Sequence, residues 1–166
     1  MEGWVPLQNY PGYSASDQGR IRNDSRGNIL AIVRTVSGHT FVGLMKDGVQ
    51  VKRSVAKLIA EAFVEPPPHQ PHFTTPIHLD GNLSNCAADN LMLRPRWFAM
   101  KFSQQFFKEQ PNHEPIRRIK TGEEFEDCWP LVMTHGLLYI DIILSVVNNT
   151  YVFPIMEYFE WVIKSR

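Results

Sequence analysis

Residues 77–91 read IHLDGNLSNCAADNL, and this stretch carries the strongest fold signal in the chain of 166 residues. Asp80-Gly81 predicts a tight hairpin turn, because this dipeptide tolerates positive φ. Asn85 stands where its side-chain oxygen can cap a helix from Cys86 to Asn90 and a little beyond. The stretch therefore predicts a compact turn that leads directly into a helix.

Two side chains of this stretch suit the hydrolysis of a phosphodiester, which needs an activated water and a counter-charge for the leaving oxygen. A neutral His78 can act as a base through Nε2 when its Nδ1–H is bound to a carbonyl. Asn90, under the turn, can hydrogen-bond the backbone and hold the histidine loop in shape. A divalent ion, usually Mg²⁺, would stabilise the charge on the phosphate.

The spacing His-x-Asp-Gly-Asn-x-x-Asn-x-x-x-x-Asn-Leu resembles the core of HNH (ββα-metal) nucleases, whereas a histidine alone would be taken as structural. The resemblance implies that His78 is the base and that Asn90 holds the loop. It also implies metal ligands just before the histidine and about two turns into the helix, where this chain has Ile77 and Ala99. Neither can bind an ion. The resemblance thus implies a remnant site without a cofactor, or with Mg²⁺ if a group such as Asp80 is recruited.

Residues 1–64 predict a β-rich module that ends in a helix. The stretches 29–36 and 39–45 are typical of paired strands, and Lys46-Asp47-Gly48 predicts a hairpin turn into the next strand. Ser54 can cap a helix over 55–63, whose apolar residues fall on one face. The module resembles the nuclease-associated modular (NUMOD) DNA-binding domain that often precedes an HNH motif. The residues that carry this resemblance are Trp4, Gly12-Tyr13, Ser16, Gly19-Arg20-Ile21-Arg22, Val55-Ala56-Lys57 and Ala62-Phe63.

Seven cations are candidates for contacts with the phosphates of double-stranded DNA. Arg20 and Arg22 fall on one face of a predicted strand, because side chains alternate at period two. The segment 94–101 is basic and aromatic together, and Trp97 and Phe98 are expected to pack inward. The alternative is a surface of solvated cations that snorkel over apolar residues. The seven candidates are Arg20, Arg22, Arg53, Lys57, Arg94, Arg96 and Lys101.

Residues 106–166 predict a strand, a turn and two helices, the first of which is expected to end at Gly136. The pattern resembles the tail repeat with a helix-turn-helix that follows HNH domains in homing endonucleases. Its candidate recognition helix, over 137–147, has no Arg, Lys, Asn or Gln, the side chains that read base edges. Such a helix better suits burial, a homodimer or a protein partner. The residues that carry the resemblance are Glu114-Pro115-Ile116-Arg117-Arg118-Ile119, Thr121-Gly122-Glu123-Glu124-Phe125, Gly136 and Trp161-Val162.

The charges are unevenly distributed although the formal net charge is zero. Residues 1–105 hold 11 Lys and Arg against 8 Asp and Glu, and residues 106–166 hold 6 against 9. The half with the HNH-like stretch is therefore the half that suits a phosphate backbone.

Cys86 and Cys128 are isolated thiols, which indicates a reducing compartment and no structural zinc. No run of eighteen apolar residues exists, so no membrane span is expected.

These patterns predict an α+β chain with a β-rich module (1–64), a Pro-rich connector (65–72), an HNH-like ββα unit (73–105) and a strand and helix-turn-helix-like module (106–166). The predicted function is binding of double-stranded DNA by site occupancy, as a repressor or an interference factor without nuclease activity. One alternative is an active Mg²⁺-dependent nicking endonuclease, and another is a protein-binding module that uses the helix over 137–147. Resemblance to phage-type homing endonucleases implies action in the cytoplasm of a bacterial host.

Overall fold

The computed structural model describes residues 1–108 and 114–162. The chain divides into two compact units, Met1–Ala99 (unit 1) and Met100–Arg166 (unit 2). The architecture is α+β, with small antiparallel sheets and four α-helices among the described residues. No helix in these ranges is both long enough and apolar enough to span a bilayer.

Unit 1 begins with two antiparallel sheets. The first has the order β1-β2-β3-β4, with β1 (Trp4–Pro6), β2 (Tyr13–Ser16), β3 (Ile21–Asn23) and β4 (Asn28–Ile29). The second has the order β5-β6-β7, with β5 (Val33–Arg34), β6 (Thr40–Lys46) and β7 (Val49–Ser54). The prediction of one strand over 29–36 was wrong, because the chain changes sheets between Ile29, which pairs with Arg22, and Val33, which pairs with Phe41.

Local signals for the β6–β7 turn and the following helix are confirmed. Asp47 and Gly48 both have positive φ, as the two-residue turn requires. Helix α1 (Val55–Phe63) starts where Ser54 Oγ accepts a hydrogen bond from Lys57 N at 3.4 Å. Its apolar face packs against β2, β6 and β7 and also against the HNH-like segment. The N-terminal sheets and that segment therefore share one core.

The HNH-like segment forms a hairpin followed by a helix. Strand β8 (Thr75–His78) pairs antiparallel with β9 (Leu91–Arg94), and helix α2 (Arg96–Gln105) follows and crosses from unit 1 into unit 2. The predicted helix over Cys86–Asn90 was wrong, since only one 3-10 turn, Ala88–Asn90, forms there. Ala87 is extended (ψ 141°), so no helix can run through this position, and α2 is the helix of the ββα unit.

Unit 2 holds a small sheet and two helices. The sheet has the order β11-β10-β12, with β10 (Ile116–Arg118), β11 (Glu124–Phe125) and β12 (Phe159–Trp161). Helix α3 (Trp129–His135) ends at Gly136 in the left-handed conformation, as predicted. Helix α4 (Tyr139–Asn148) packs on β12, and Ser145 Oγ accepts a hydrogen bond from Phe159 N at 3.1 Å.

The helix predicted over 137–147 forms as α4, which is partly buried and carries apolar side chains on its exposed side. Ile142 and Ser145 of α4 are buried, whereas Ile140, Leu144 and Val147 are exposed. The exposed residues are spaced by four and three, so they lie along one face of the helix. The outer face of α4 is therefore apolar.

Candidate functional site

A network of polar side chains holds the loop between β8 and β9. Asn90 Nδ2 donates to Asp80 Oδ1 at 2.9 Å and to the Asn85 carbonyl at 2.9 Å, while Asn90 Oδ1 accepts from Asp80 N at 3.1 Å. Asp80 Oδ2 accepts from Asn85 Nδ2 at 2.8 Å. Asn90 thus lies where it can hold the loop in shape, and both carboxylate oxygens of Asp80 are bound within the loop.

These hydrogen bonds set the ionisation of Asp80. Partial burial alone would raise its pKa, but hydrogen bonds from Asn85, Asn90 and the Asn82 backbone outweigh it and lower the pKa below its usual range. Each of these donors stabilises the charged form. Asp80 is therefore an ionised part of the loop structure, as its place in the turn predicts.

His78 lies inside unit 1, where it is 5% exposed. Its Nε2 lies 3.7 Å from Cys86 Sγ, and the same sulfur lies 3.1 Å from Thr40 Oγ1. Burial lowers the pKa of His78 to about 4; Asp80 opposes this shift and His39 adds to it. The imidazole is therefore neutral at neutral pH, as a base requires, but its Nε2 faces protein atoms.

The two positions that the HNH resemblance assigns to metal ligands carry buried apolar side chains. Ile77 is 1% exposed on β8, and Ala99 is 7% exposed on α2. Neither side chain carries a donor atom for Mg²⁺, which prefers oxygen ligands. Over residues 1–108 and 114–162, no three or more His, Cys, Asp or Glu side chains form a group that could hold a metal.

Two turns of the N-terminal sheets rest against this loop. The turn between β2 and β3 places Asp17 O 2.8 Å from the N–H of Ala88, which donates to it. The turn between β5 and β6 accepts a hydrogen bond from Ser84 Oγ at Gly38 O, at 3.0 Å. No local signal predicts these contacts, because they join residues that are 46 and 71 positions apart.

Gly19, in the turn between β2 and β3, closely approaches the backbone of Cys86. Gly19→Ala is expected to lower the free energy of unfolding by about 2–4 kcal/mol. Gly19 has φ +79°, and an added Cβ would lie 2.9 Å from the backbone carbon of Cys86. The matched control is Gly12→Ala, which has φ +85° but open space around the new methyl group, so only the backbone strain remains. Urea denaturation of both variants measures the difference, and equal losses would contradict a close approach at Gly19.

Two of the predicted DNA-binding arginines lie together beside Trp4. The guanidinium carbons of Arg22 and Arg20 lie 4.4 Å and 6.0 Å from the centre of the Trp4 ring. Each arginine also has an acidic partner: Arg20 pairs with Glu2, and Arg22 Nε lies 3.2 Å from Asp24. The predicted common face is therefore present, and these acids must compete with any phosphate that binds there.

Two more of the predicted cations line one groove. Lys57 of α1 and Arg96 of α2 stand on the wall of a groove of about 620 Å³, whose lining includes Phe73 and Leu93. Both cations are exposed. The groove also contains Glu61, so its charge is not purely positive.

The other three predicted cations differ in their surroundings. Arg53 Nε donates to the Tyr10 hydroxyl, and its guanidinium carbon lies 5.6 Å from that ring. Lys101 is exposed in unit 2. Arg94 is 5% exposed and lies against the Phe73 and Phe98 rings, so it packs in the interior and is not presented to a phosphate.

The two aromatic residues predicted to pack inward, Trp97 and Phe98, lie in different environments. Phe98 is buried, as predicted, but Trp97 is 53% exposed and does not pack inward. The two residues are adjacent on α2, so they point about 100° apart and one side of the helix cannot bury both. No sequence pattern identified Cys86, Thr40 or Trp4 as neighbours of the site residues.

Comparisons with known proteins identify the fold. No protein-family model and no curated protein matches the chain. The solved structure of the HNH homing endonuclease I-HmuI, which describes its DNA binding and cleavage, matches with a TM-score of 0.55 and 18% sequence identity. The match covers 98% of this chain and 99% of that chain. The chain therefore has the fold of an HNH homing endonuclease over nearly its whole length.

Proposed function

We propose that this protein binds double-stranded DNA without cleaving it and acts by occupying its site, as a repressor or an interference factor. The observation that carries the proposal is the burial of two apolar residues, Ile77 and Ala99, at the positions that the HNH resemblance assigns to metal ligands. Phosphodiester cleavage of the HNH type depends on an ion to stabilise the charge on the phosphate. A chain with this fold and without those donors retains a surface for DNA but lacks the means to cut it.

Exposed cations of unit 1 support the DNA-binding part of the proposal. Arg20, Lys57 and Arg96 are exposed, Arg22 is half-buried, and residues 1–105 carry the positive surplus of the chain. I-HmuI, which shares the fold, binds DNA. Phosphate contacts position a protein on a duplex and give most of its affinity, so these side chains are the proposed contacts.

Two alternatives have specific observations in their favour. His78 and Asn90 are both present in the loop, which favours an active Mg²⁺-dependent nicking endonuclease that recruits Asp80 or another group. The hydrogen bonds already made to both Asp80 oxygens weigh against that recruitment. The exposed apolar face of α4 favours a homodimer or a protein partner, and such an association would not weaken steeply with salt.

The test combines nicking and binding on one preparation. The protein is incubated with supercoiled plasmid in Mg²⁺ or Mn²⁺, and the same DNA is used in a gel shift at several salt concentrations. A salt-sensitive shift without nicking is expected. Nicking that His78→Ala abolishes would establish the endonuclease alternative. Salt-insensitive self-association without a shift, even after selection from random DNA sequences, would favour the protein-binding alternative.

Removing one proposed phosphate contact should change the salt dependence in a defined way. Arg22→Gln is expected to weaken binding and to reduce the slope of log Kobs against log salt by about one, because one fewer counterion is released. The control is Arg117→Gln in unit 2, whose guanidinium is paired with Glu124 and Glu160 on the acidic half. An equal change of slope in both variants would contradict a specific contact by Arg22.

A further inference from the structure

Arg20 and Arg22, the two arginines beside Trp4, make different kinds of ion pair. Arg20 forms a fork with Glu2, because its Nε donates to Oε1 at 2.8 Å and its Nη2 donates to Oε2. Arg22 donates to Asp24 Oδ1 through Nε alone, at 3.2 Å. Within residues 1–108 and 114–162, Nη1 and Nη2 of Arg22 make no hydrogen bond. The far end of the Arg22 guanidinium is therefore open, whereas the fork of Arg20 is filled.

The guanidinium of Arg22 is held from two directions. Its carbon lies 4.4 Å from the centre of the Trp4 ring, which is within the range of a cation–π contact. Asp24, which binds Nε, is itself fixed, because its Oδ2 accepts a hydrogen bond from Ser14 Oγ at 2.9 Å. Ser14 is 4% exposed and pairs directly with Arg22 across β2 and β3. A buried hydroxyl thus fixes the acid that in turn fixes the arginine.

We propose that Ser14 and Asp24 are positioning residues that hold Arg22 in place for a phosphate of DNA. Asp24 therefore favours DNA binding although it carries a negative charge. Glu2 has the opposite effect, because it must leave the fork of Arg20 before a phosphate can occupy it. The inference rests on the proposed function and deepens it, since it identifies which of the two neighbouring arginines is prepared for binding. Nη1 and Nη2 of Arg22 offer two N–H donors that match two oxygens of one phosphate.

Orientation of Arg22 outweighs the repulsion between Asp24 and a phosphate. Both oxygens of Asp24 accept hydrogen bonds, and its side chain is 35% exposed to solvent. At about 0.15 M salt the Debye length is about 8 Å, so repulsion from such a charge is largely screened. A freely rotating arginine loses rotamer entropy when it binds a phosphate, whereas a side chain that is already held loses less. Salt does not screen this second effect.

The first test is Ser14→Ala, which removes the hydroxyl and leaves every charge in place. Binding to a short DNA duplex of mixed sequence is followed by fluorescence anisotropy at about 0.15 M salt. The affinity should fall about two- to fivefold, because one hydrogen bond of modest net strength no longer fixes Asp24. Ser16→Ala is the matched control on the same strand. Its hydroxyl accepts from Arg20 N at 3.0 Å and does not contact Asp24, so the affinity should stay unchanged.

The two acids should have opposite effects in the same assay. Glu2→Gln should strengthen binding about two- to fivefold, because it weakens the ion pair that fills the fork of Arg20. Asp24→Ala should weaken binding although it also removes a negative charge. In an Arg22→Gln background, Ser14→Ala should have no further effect. Unchanged or stronger binding by Ser14→Ala, or a gain for Asp24→Ala equal to that for Glu2→Gln, would overturn the inference.

A second measurement uses the wild-type protein without DNA. Hydrogen exchange of the arginine Nε–H groups is followed by ¹⁵N NMR, and the Nε–H of Arg22 should exchange more slowly than that of the exposed Arg26, because it is bonded to Asp24. Ser14→Ala should reduce this difference. Equal exchange at Arg22 and Arg26 in the wild type would also overturn the inference. Slow exchange at Arg22 in a protein that binds neither this duplex nor a selected sequence would instead contradict the proposed function, so the two failures are distinguishable.

Discussion

Acidification from about pH 7 to about pH 4 is expected to reduce the free energy of unfolding by about 3 kcal/mol through His78 alone. Burial lowers the pKa of this imidazole to about 4 in the folded protein, against 6.5 in its absence. Below pH 6.5 the unfolded chain therefore binds a proton that the folded protein does not. The contribution of His78 to the free energy of unfolding is fully present above the pKa of the unfolded state and is lost as the pH falls toward the pKa of the folded state.

The measurement is urea denaturation of the wild type and of His78→Gln at a series of pH values, with His72→Gln at an exposed position as the matched control. Acidic groups whose pKa values are lowered in the folded protein, such as Asp80 and Glu157, also reduce the free energy of unfolding when they are protonated in acid. These groups are present in every variant. The difference between wild type and His78→Gln isolates the histidine. Parallel pH profiles for these two proteins would show that His78 is accessible and charged in the folded state.

Local sequence signals predicted the turns and the helix ends of this fold correctly. The Asp47-Gly48 turn, the Ser54 cap of α1 and the Gly136 end of α3 each depend on one residue whose backbone or side-chain preference is strong. The same kind of reasoning failed for Cys86–Asn90. There, Asn85 Oδ1 accepts a hydrogen bond from Ala87 N and Asn90 Nδ2 donates to the Asn85 carbonyl. These bonds and the close approach of Gly19 favour an extended loop over a helix.

The environment of His78 could not be predicted in this way. Its neighbour Cys86 contacts Thr40, which is 46 positions away, so this environment exists only after the sheets and the hairpin have packed together. The spacing of the motif indicated the loop and the role of Asn90 in it. It carried no information on which way the imidazole points, because that depends on the residues that fill the space beneath the loop. The burial of Arg94 has the same origin.

An acidic residue at position 77, which the HNH resemblance assigns to a metal ligand, is expected to destabilise the fold. Ile77→Asp should lower the free energy of unfolding by about 4 kcal/mol or more, because it removes a buried apolar side chain and buries a carboxyl group in its place. Ile77 is 1% exposed, so the new group cannot reach water without movement of β8. Ile77→Val tests the packing alone, and Ile29→Asp tests a carboxylate on an exposed strand position.

A Mg²⁺ titration tests whether positions 77 and 99 can form a metal site once donor atoms are supplied there. A ligand that binds only the folded state raises stability in proportion to the logarithm of its concentration. With the double substitution Ile77→Asp and Ala99→Asn, we expect no rise in melting temperature as Mg²⁺ is added, since the space around both positions is filled by apolar packing and His78 faces Cys86. A concentration-dependent rise, absent from Ile29→Asp, would show that the site accepts an ion once its donors are supplied. Cleavage of DNA by the same variant would be needed to show that these two side chains alone separate the chain from an active nuclease.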